Sequence, residues 1–384
     1  MSNRALSAVV LAAGEGTRMR SSRPKPLHRL CGRAMALHVL DALAGLSLRR
    51  AVIVVGHGAE RVIKTLHENG PPNLRLDFVE QHIQRGTGDA VSVALTAFPD
   101  DDDLDDADDI LVLPGDTPLL RPPTLAGLVR VHRRAGAAAT VLTAELADPT
   151  GYGRVVRGRD EQVARVVEQA DAVDDELDIR EINTGIYVFR RSVVAPALRR
   201  LSPANAQGEY YLTDIIEVLH DAGYPVTSMI AADPMETAGV NDRAQLAVAE
   251  AELRDRTNER WMRRGVTMLD PERTYVDTTV ELAPDVTLFP GTLLQGRTIV
   301  GIGCEIGPNS HLVDTVVGER ATVTNSVARS AEIGADAIVG PFAALFPGAR
   351  VAPDTRTGAC FIGTSDDEGA GDDEETGNGT GTEA

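Results

Sequence analysis

The sequence has few cysteines, few aromatics, almost no lysine and no long apolar run. Cys31, Cys304 and Cys360 are the only cysteines in 384 residues, far apart and without CxxC spacing. That excludes a disulfide framework and a cysteine-based zinc site. No apolar run approaches the ~18 residues that a membrane-spanning helix needs. The N-terminal run ALSAVVLAA follows a single Arg4 and leads straight into glycines, which fits a buried strand rather than a secretion signal. A cytoplasmic protein with no membrane partner is expected. Excess positive charge is missing too: the net charge is −19. Eight aspartates at 100–109 and eight acids at 366–384 account for most of it, leaving −3 for everything else. The acidity belongs to a loop and a tail, and a nearly neutral body excludes a general nucleic-acid-binding face. Lysine occurs only at Lys25 and Lys64, arginine supplying the other 36 bases, so Lys25 in a glycine-rich neighbourhood is an unusual choice.

Residues 1–120 alternate short apolar runs, at 5–12, 51–55, 74–79 and 110–113, with helix-like segments such as 34–44. This pattern predicts a parallel sheet covered on both faces. Ligands in such sheets sit beyond the carboxyl ends of the strands. Glycine and polar clusters follow all four runs, so they should gather along one edge. Strands near 140–145, 163–168 and 186–189 continue the α/β pattern. Leu246, Ala249, Leu253 and Trp261 recur at helical spacing within 242–264 and predict a packed connector helix.

From Val280 the chain reads as hexapeptides, VELAPD, VTLFPG, TLLQGR, TIVGIG, CEIGPN and SHLVDT. Their third positions are Leu282, Leu288, Leu294, Val300, Ile306 and Leu312, and the register returns at Ile333, Val339, Leu345 and Val351 after a shift around 317–330. Period six with turn residues between predicts a β-helix solenoid of about four coils. The segment from Gly363 onward, acidic and glycine-rich, is expected to be disordered.

The chemistry concentrates in Leu11-Ala12-Ala13-Gly14-Glu15-Gly16-Thr17-Arg18-Met19, directly after the first strand. Glycines there let backbone amides approach phosphate oxygens. The segment is not a Walker loop, since no GK[ST] follows, nor GxGxxG, since Met19 holds the third glycine position. Arg18 within it and Lys25 in Arg23-Pro24-Lys25-Pro26 put two cations beside the cradle. That suits a triphosphate whose charge shifts during phosphoryl transfer; the plainer alternative for Lys25 is a solvated loop lysine.

LAAGEGTRMRSSRPKPLHRLCGRAM resembles the N-terminal signature of the sugar-phosphate nucleotidyltransferases, and within them the bacterial N-acetylglucosamine-1-phosphate uridylyltransferases of the GlmU type. QHIQRGTGDAV, LPGDTPLL, GYGRVVR, VVEQADA, EINTGIYVF, NAQGEYYLTDII and GVNDRAQLA follow in that family's order. The resemblance covers about residues 6–265. It implies an α/β fold: a Rossmann-like nucleotidyltransferase domain with a mixed, mainly parallel sheet at 1–241, a connector helix at 242–265, a short left-handed parallel β-helix at 275–362 and an acidic tail at 363–384. It implies uridylyl transfer from UTP to N-acetylglucosamine-1-phosphate, giving a peptidoglycan precursor and pyrophosphate, in a homotrimer joined through the β-helix.

By the same resemblance Arg18 and Lys25 are catalytic, neutralising the triphosphate. Leu11, Ala12, Ala13 and Gly14, with Pro114, Gly115 and Asp116, would line the nucleotide. Gln81, Gly86 and Thr87 would read uracil, since a side-chain amide both donates and accepts. Asp116 and Asn241 would hold Mg²⁺, as one carboxylate and one amide oxygen beside phosphates and waters can. Gly153, Glu168, Asn183 and Asn241 would surround the sugar phosphate. Taken singly these have plainer readings: Asp116 as a turn aspartate, Gly153 as a turn, Glu168 as a strand-end charge, Gln81 as loop polarity. His57, between two glycines, is expected to be structural.

The pattern departs from the family in three places. Pro114 stands where a tyrosine or small residue is usual, implying contact with the nucleotide through backbone. Ala170 interrupts a stretch that often carries Lys or Gln. The turn Pro341-Phe342-Ala343-Ala344-Leu345-Phe346-Pro347-Gly348 has Ala344 and Phe346 where the bifunctional enzymes carry a basic pair, with no histidine after His311 and no lysine after Lys64. Acetyl transfer needs a base and phosphate-binding cations, so that activity is expected to be missing. Three alternatives stay open: another sugar or nucleotide, such as glucose-1-phosphate with UTP or dTTP, the full bifunctional enzyme, and a catalytically silent scaffold that binds sugar nucleotides.

Overall fold

The computed structural model describes residues 4–98, 108–158 and 162–365. The acidic stretch 100–107 and the tail beyond Ser365, both singled out above, lie outside the described residues. The chain divides into two compact units, Met1–Glu252 and Leu253–Ala384. Among the described residues no helix is long and apolar enough to cross a membrane.

The first unit is built on one nine-stranded sheet. Its strands are β1 (Leu6–Ala12), β2 (Ala51–Val55), β3 (Leu76–Glu80), β4 (Asp109–Pro114), β5 (Ala139–Glu145), β6 (Arg154–Arg157), β7 (Val163–Val167), β8 (Glu181–Arg190) and β9 (Val226–Ile230). The order is β9-β5-β8-β4-β1-β2-β3, with β6 pairing β8 and β7. β3, β2, β1 and β4 run parallel, and β8 is antiparallel to both of its long neighbours. The sheet is therefore mixed and mainly parallel, as expected.

Successive residues of a strand face opposite sides, and here both sides are covered. Ala8, Val10 and Ala12 join a core with Leu37, Leu40 and Leu128. Val9 joins a second core with Val91, Ile215 and Ile216. The helices concerned are α1 (Met35–Ala44) and α4 (Pro122–Ala135) on one face, and α3 (Thr87–Leu95) and α6 (Asp214–Asp221) on the other; α2 (Ala59–Asn69) and α5 (Arg191–Leu198) add Leu66 and Val194 to the two cores. Two-sided burial is why these strands read as unbroken apolar runs.

Two of the aspartates of the acidic run belong to the fold. Asp109 opens β4 at 1% exposure and holds Arg133 Nε at 2.7 Å and His132 Nε2 at 3.3 Å. Asp108 accepts Ala5 N–H at 2.9 Å. The charge run read as loop thus ends in buried ion-pair residues.

In the second unit three all-parallel sheets of five, six and five strands stack as a left-handed parallel β-helix. The inward columns are Met268–Leu288–Ile306–Val323–Val339, Val276–Leu294–Leu312–Ala328–Leu345–Gly363 and Leu282–Val300–Val317–Ile333–Val351. Five strands stack on two faces and six on the third, which corrects the expected four coils. The first rung, Thr267–Met268 and Tyr275–Val276, lacks hexapeptide spacing because a short 3₁₀ turn, Pro271–Arg273, lies between. The register shift resolves into five-residue sides, Leu312 to Val317, Val323 to Ala328 and Ala328 to Ile333, each keeping an inward residue in its column. The helix predicted at 242–264 is α7 (Arg243–Met262), with Ala249 and Trp261 buried. Near its end Asn258 Nδ2 donates to the carbonyls of Pro271 and Thr274, both at 2.9 Å.

Burial alone would raise the pKa of Asp109, but hydrogen bonds from His132 and Arg133 outweigh it and hold the carboxyl below its usual range. The stability it contributes is therefore present above the ordinary carboxylate pKa and lost as the pH falls through the lower folded value. Asp109→Asn is expected to cost about 3 kcal/mol in urea unfolding at neutral pH, since it takes the carboxylate from the half-buried Arg133 guanidinium and from the environment of buried His132. The gap from wild type should narrow on acidification.

Candidate active site

The loop after β1 folds back on itself. Gly16 sits at φ +65°, and a Cβ there would stand 2.7 Å from that of Lys25. Two 3₁₀ turns, Thr17–Met19 and Lys25–Leu27, are anchored by buried Met19 and Leu27. Lys25 is held between them and the sheet with its side chain 13% exposed. Its ammonium donates to the Asp116 carboxylate, just past β4, and to Asn241 Oδ1 at 2.9 Å. Arg18 Nη2 donates to the same Asn241 oxygen at 3.0 Å. Val240 N–H bonds the Asp116 carbonyl at 2.9 Å, so backbone as well as side chains joins the two segments.

A cavity of about 300 Å³ opens over the carboxyl ends of β1, β3 and β4. Its lining includes every residue read as nucleotide-binding: Leu11, Ala12, Ala13, Gly14, Gln81, Gly86, Thr87, Pro114, Gly115 and Asp116, together with Lys25. Arg18 does not line it and reaches the site through Asn241. Of the four post-strand clusters expected to converge, three contribute to the lining; the one after β2 does not, and His57 is exposed. Pro114 costs no ladder bond. The next N–H, of Gly115, goes to Leu11 in β1, so position 114 faces β8. There the β8–β4 ladder ends at Tyr187–Val112.

Gln81 is 5% exposed and both of its amide hydrogens are engaged, on Gly86 O at 3.2 Å and Asp89 Oδ2 at 2.8 Å. It presents only its oxygen, narrower than the donor-and-acceptor role expected. The Gly86 turn is tied to 209–212: Gly88 N–H bonds Tyr210 O at 2.8 Å, and Leu212 N–H bonds Thr87 Oγ1 at 3.0 Å. Gly86 has φ +108°, and a Cβ there would lie 2.6 Å from Tyr210 O.

Strand register brings together three of the four residues expected to surround the sugar phosphate. Arg154 stands opposite Val167 in β7 and Ile182 in β8. One step along this antiparallel row come Gly153, Glu168 and Asn183, with Asn183 N–H bonding Gly153 O at 2.9 Å. A Cβ at Gly153 would stand 3.3 Å from Glu168 Oε2. Glu168 accepts from Thr213 Oγ1 at 3.2 Å. Burial pushes its pKa up against that hydrogen bond, and the charges of Asp214 and Asp171 add to the rise. Asp214 is pushed up to about 6 by burial, then by Glu217 and Asp171. The site thus has a cationic end, at Lys25 and Arg18, and an acidic end around Glu168. Asn241 belongs to the cationic end. The phenol of Tyr152, next to Gly153, has its pKa raised by burial and by the Asp116 charge.

Pro26, Gln84, Ala90 and Glu209 also line the cavity and were not assigned from the sequence. Gln84 Nε2 holds the carbonyl of Ala13 at 2.7 Å. Glu209 lies against the Gly86 turn, where a Cβ built at Gly86 would stand 2.9 Å from its own, and was legible only as part of NAQGEYYLTDII.

Asp116 Oδ2 and Asn241 Oδ1 point at one cation, the Lys25 ammonium. Two hard oxygens converging on one positive charge fit a divalent ion that takes its other ligands from phosphates and water.

The chain matches the nucleotidyl transferase family over residues 7–259. It is 42% identical to the bifunctional protein GlmU of Heliobacterium modesticaldum, over 92% of this chain and 74% of that protein. It is 46% identical to the bifunctional protein GlmU of Streptomyces avermitilis over 92% and 72%, and 43% identical to that of Halalkalibacterium halodurans over 93% and 76%. The chain spans about three quarters of the length of these relatives. With a cavity at its sheet edge, its cationic loop and its stacked hexapeptide coils, the chain belongs to the nucleotidyl transferase family and, within it, to the GlmU-type sugar-1-phosphate uridylyltransferases.

Proposed function

We propose that the chain transfers the uridylyl group of UTP to N-acetylglucosamine-1-phosphate, releasing pyrophosphate, with Mg²⁺ as its metal and without acetyltransferase activity. The observation that carries this reading is the junction of Lys25, Asp116, Asn241 and Arg18 beside a cavity lined by the glycine loop. In this reading residues 1–241 are the catalytic domain, 242–265 the connector and 275–362 the β-helix. The reaction takes place in the cytoplasm, where nucleoside triphosphates are held.

Leu11 to Gly14 and Pro114 to Asp116 bracket the nucleotide, and the Gln81 oxygen accepts the imide N–H of uracil beside Gly86 and Thr87. The acidic end accepts sugar hydroxyls through Glu168, with Asn183 and Gly153 shaping its floor. A phosphate oxygen of the sugar attacks the α-phosphorus in line and pyrophosphate leaves, with no protein nucleophile. Lys25 exchanges Asp116 and Asn241 for phosphate oxygens, and Arg18 adds charge on the leaving side. Mg²⁺ on Asp116 and Asn241 would withdraw charge from the triphosphate and align its oxygens.

The absence of acetyl transfer is supported by Ala344 and Phe346, a small and an apolar residue where that chemistry needs cations. Trimerisation is supported by one face of the solenoid. Its outward column is Tyr275–Leu293–His311–Val327–Ala344–Ile362, largely apolar, with Tyr275, Val327 and Ile362 at 42%, 41% and 64% exposure. The outward positions of the other two faces read Thr267, Thr287, Glu305, Thr322, Ile338 and Glu281, Ile299, Val316, Glu332, Arg350, so on those faces apolar residues are outnumbered by hydroxyl and charged ones.

Pyrophosphate release with Mg²⁺ and UTP should be fastest with N-acetylglucosamine-1-phosphate, and coenzyme A release from acetyl-CoA with glucosamine-1-phosphate should stay at background. Faster release with glucose-1-phosphate would keep the mechanism and change the substrate; none at all, with UTP bound, would favour the scaffold reading. Lys25→Ala should lower kcat by roughly a hundredfold or more while calorimetry still detects UTP binding; unimpaired turnover would remove the role given to Lys25. Val327→Asp should shift the sedimentation equilibrium from trimer to monomer, and an unchanged mass would exclude that face as the interface.

A further inference from the structure

Arg154 opens β6 at 2% exposure. Among the described residues no carboxylate lies within ion-pairing distance of it. Its partners are neutral: Nη1 donates to the Tyr152 carbonyl and Nη2 to Gln169 Oε1 at 2.9 Å. That same amide oxygen accepts Gly151 N–H at 3.1 Å. One guanidinium and one amide therefore fasten the segment Gly151–Tyr152–Gly153 to the residue that follows Glu168.

A buried cation is an expensive way to stabilise a fold, since a well-packed apolar side chain of similar volume serves as well or better. A planar fork that cannot deprotonate has another use: it fixes two acceptors at a set separation at every physiological pH. We propose that Arg154 is a positioning residue of the sugar-phosphate subsite, locking the Tyr152–Gly153 and Glu168–Gln169 segments into the one spacing that admits the sugar phosphate. This rests on the reading that the sugar phosphate binds over the row Gly153, Glu168 and Asn183. Arg154 touches no substrate. It acts through Gly153, whose carbonyl holds Asn183, and through Gln169, whose neighbour is Glu168.

The clamp is specific to one half of the site. The nucleotide-lining residues on β1, β3 and β4 make no hydrogen bond to Arg154 or Gln169 among the described contacts, so losing the clamp should leave UTP binding alone.

The test is steady-state kinetics of Arg154→Met, Arg154→Lys, Gln169→Leu and the Arg154→Met/Gln169→Leu double variant in the full chain, with hydrogen exchange of the substrate-free proteins. Arg154→Met is expected to raise KM for the sugar phosphate about tenfold, and KM for UTP less than about twofold, because misplacement is confined to one subsite. Gln169→Leu, altering a half-buried residue, should show the same split. The double variant should be no worse than Arg154→Met, as for two members of one interaction. Arg154→Lys should restore only part of the loss, since an ammonium cannot hold both acceptors in the fork geometry. Amides 151–153 and 168–170 should exchange faster in Arg154→Met without any substrate. Equal rises in both KM values, additive effects in the double variant, or unchanged exchange in those segments would each overturn the proposal. If Arg154→Met does not fold, the KM split and the exchange of Gln169→Leu decide it. A wild-type protein that turns over no sugar phosphate would remove the reaction assigned above, while the exchange experiment would still decide whether the clamp exists.

Discussion

Strands β1 and β4 are hydrogen-bonded in parallel and buried on both faces, and the rest of the structure depends on that pairing. A strand sealed above and below meets solvent only at its ends. Parallel direction puts the carboxyl ends of β1, β4, β2 and β3 on the same edge, so the glycine loop, the Asp116 turn and the Gln81 segment have to meet there. The amino ends are closed differently. Asp108 accepts the Ala5 N–H and Asp109 the Arg133 guanidinium, with His132 Nε2 3.3 Å from Asp109.

At the open edge the charges are arranged as opposites. Lys25 and Arg18 share the Asn241 oxygen, and Lys25 also holds Asp116; in the proposed reaction Lys25 exchanges these partners for phosphate oxygens. The far end is acidic, with Glu168 and Asp214 held toward their protonated forms chiefly by burial. In the proposed reading that polarity orients a sugar phosphate with its hydroxyls toward Glu168 and its phosphate toward Lys25.

The solenoid repeats a simpler rule. Each side of a coil needs one inward aliphatic residue, and five residues reach from corner to corner nearly as well as six. Sides such as Val323 to Ala328 therefore shorten without breaking the column, and the smaller Ala328 fills its place at 1% exposure. The outward residue beside each inward one is free to vary. On one face that freedom is spent on an apolar column.

Much of this was legible in the residues. Alternation of apolar runs and glycine turns determined the parallel sheet and the edge that carries the site. Period six determined the solenoid, and ordered motifs singled out Lys25, Asp116 and Asn241 before any contact was seen. What the chain could not disclose was anything that depends on pairing. That Gly153, Glu168 and Asn183, named together by resemblance, stand on one cross-strand row follows from the antiparallel register of β6 with β7 and β8. Register is a sum of many weak cross-strand choices rather than a local pattern. The engagement of both Gln81 amide hydrogens, the burial of Asp109 inside a run that read as solvated acid, and the first solenoid rung before the hexapeptides begin were decided in the same way. Local sequence determined which elements form and where they end; only the packed structure decided which side chains share a hydrogen bond, because that depends on distances between segments that do not meet along the chain.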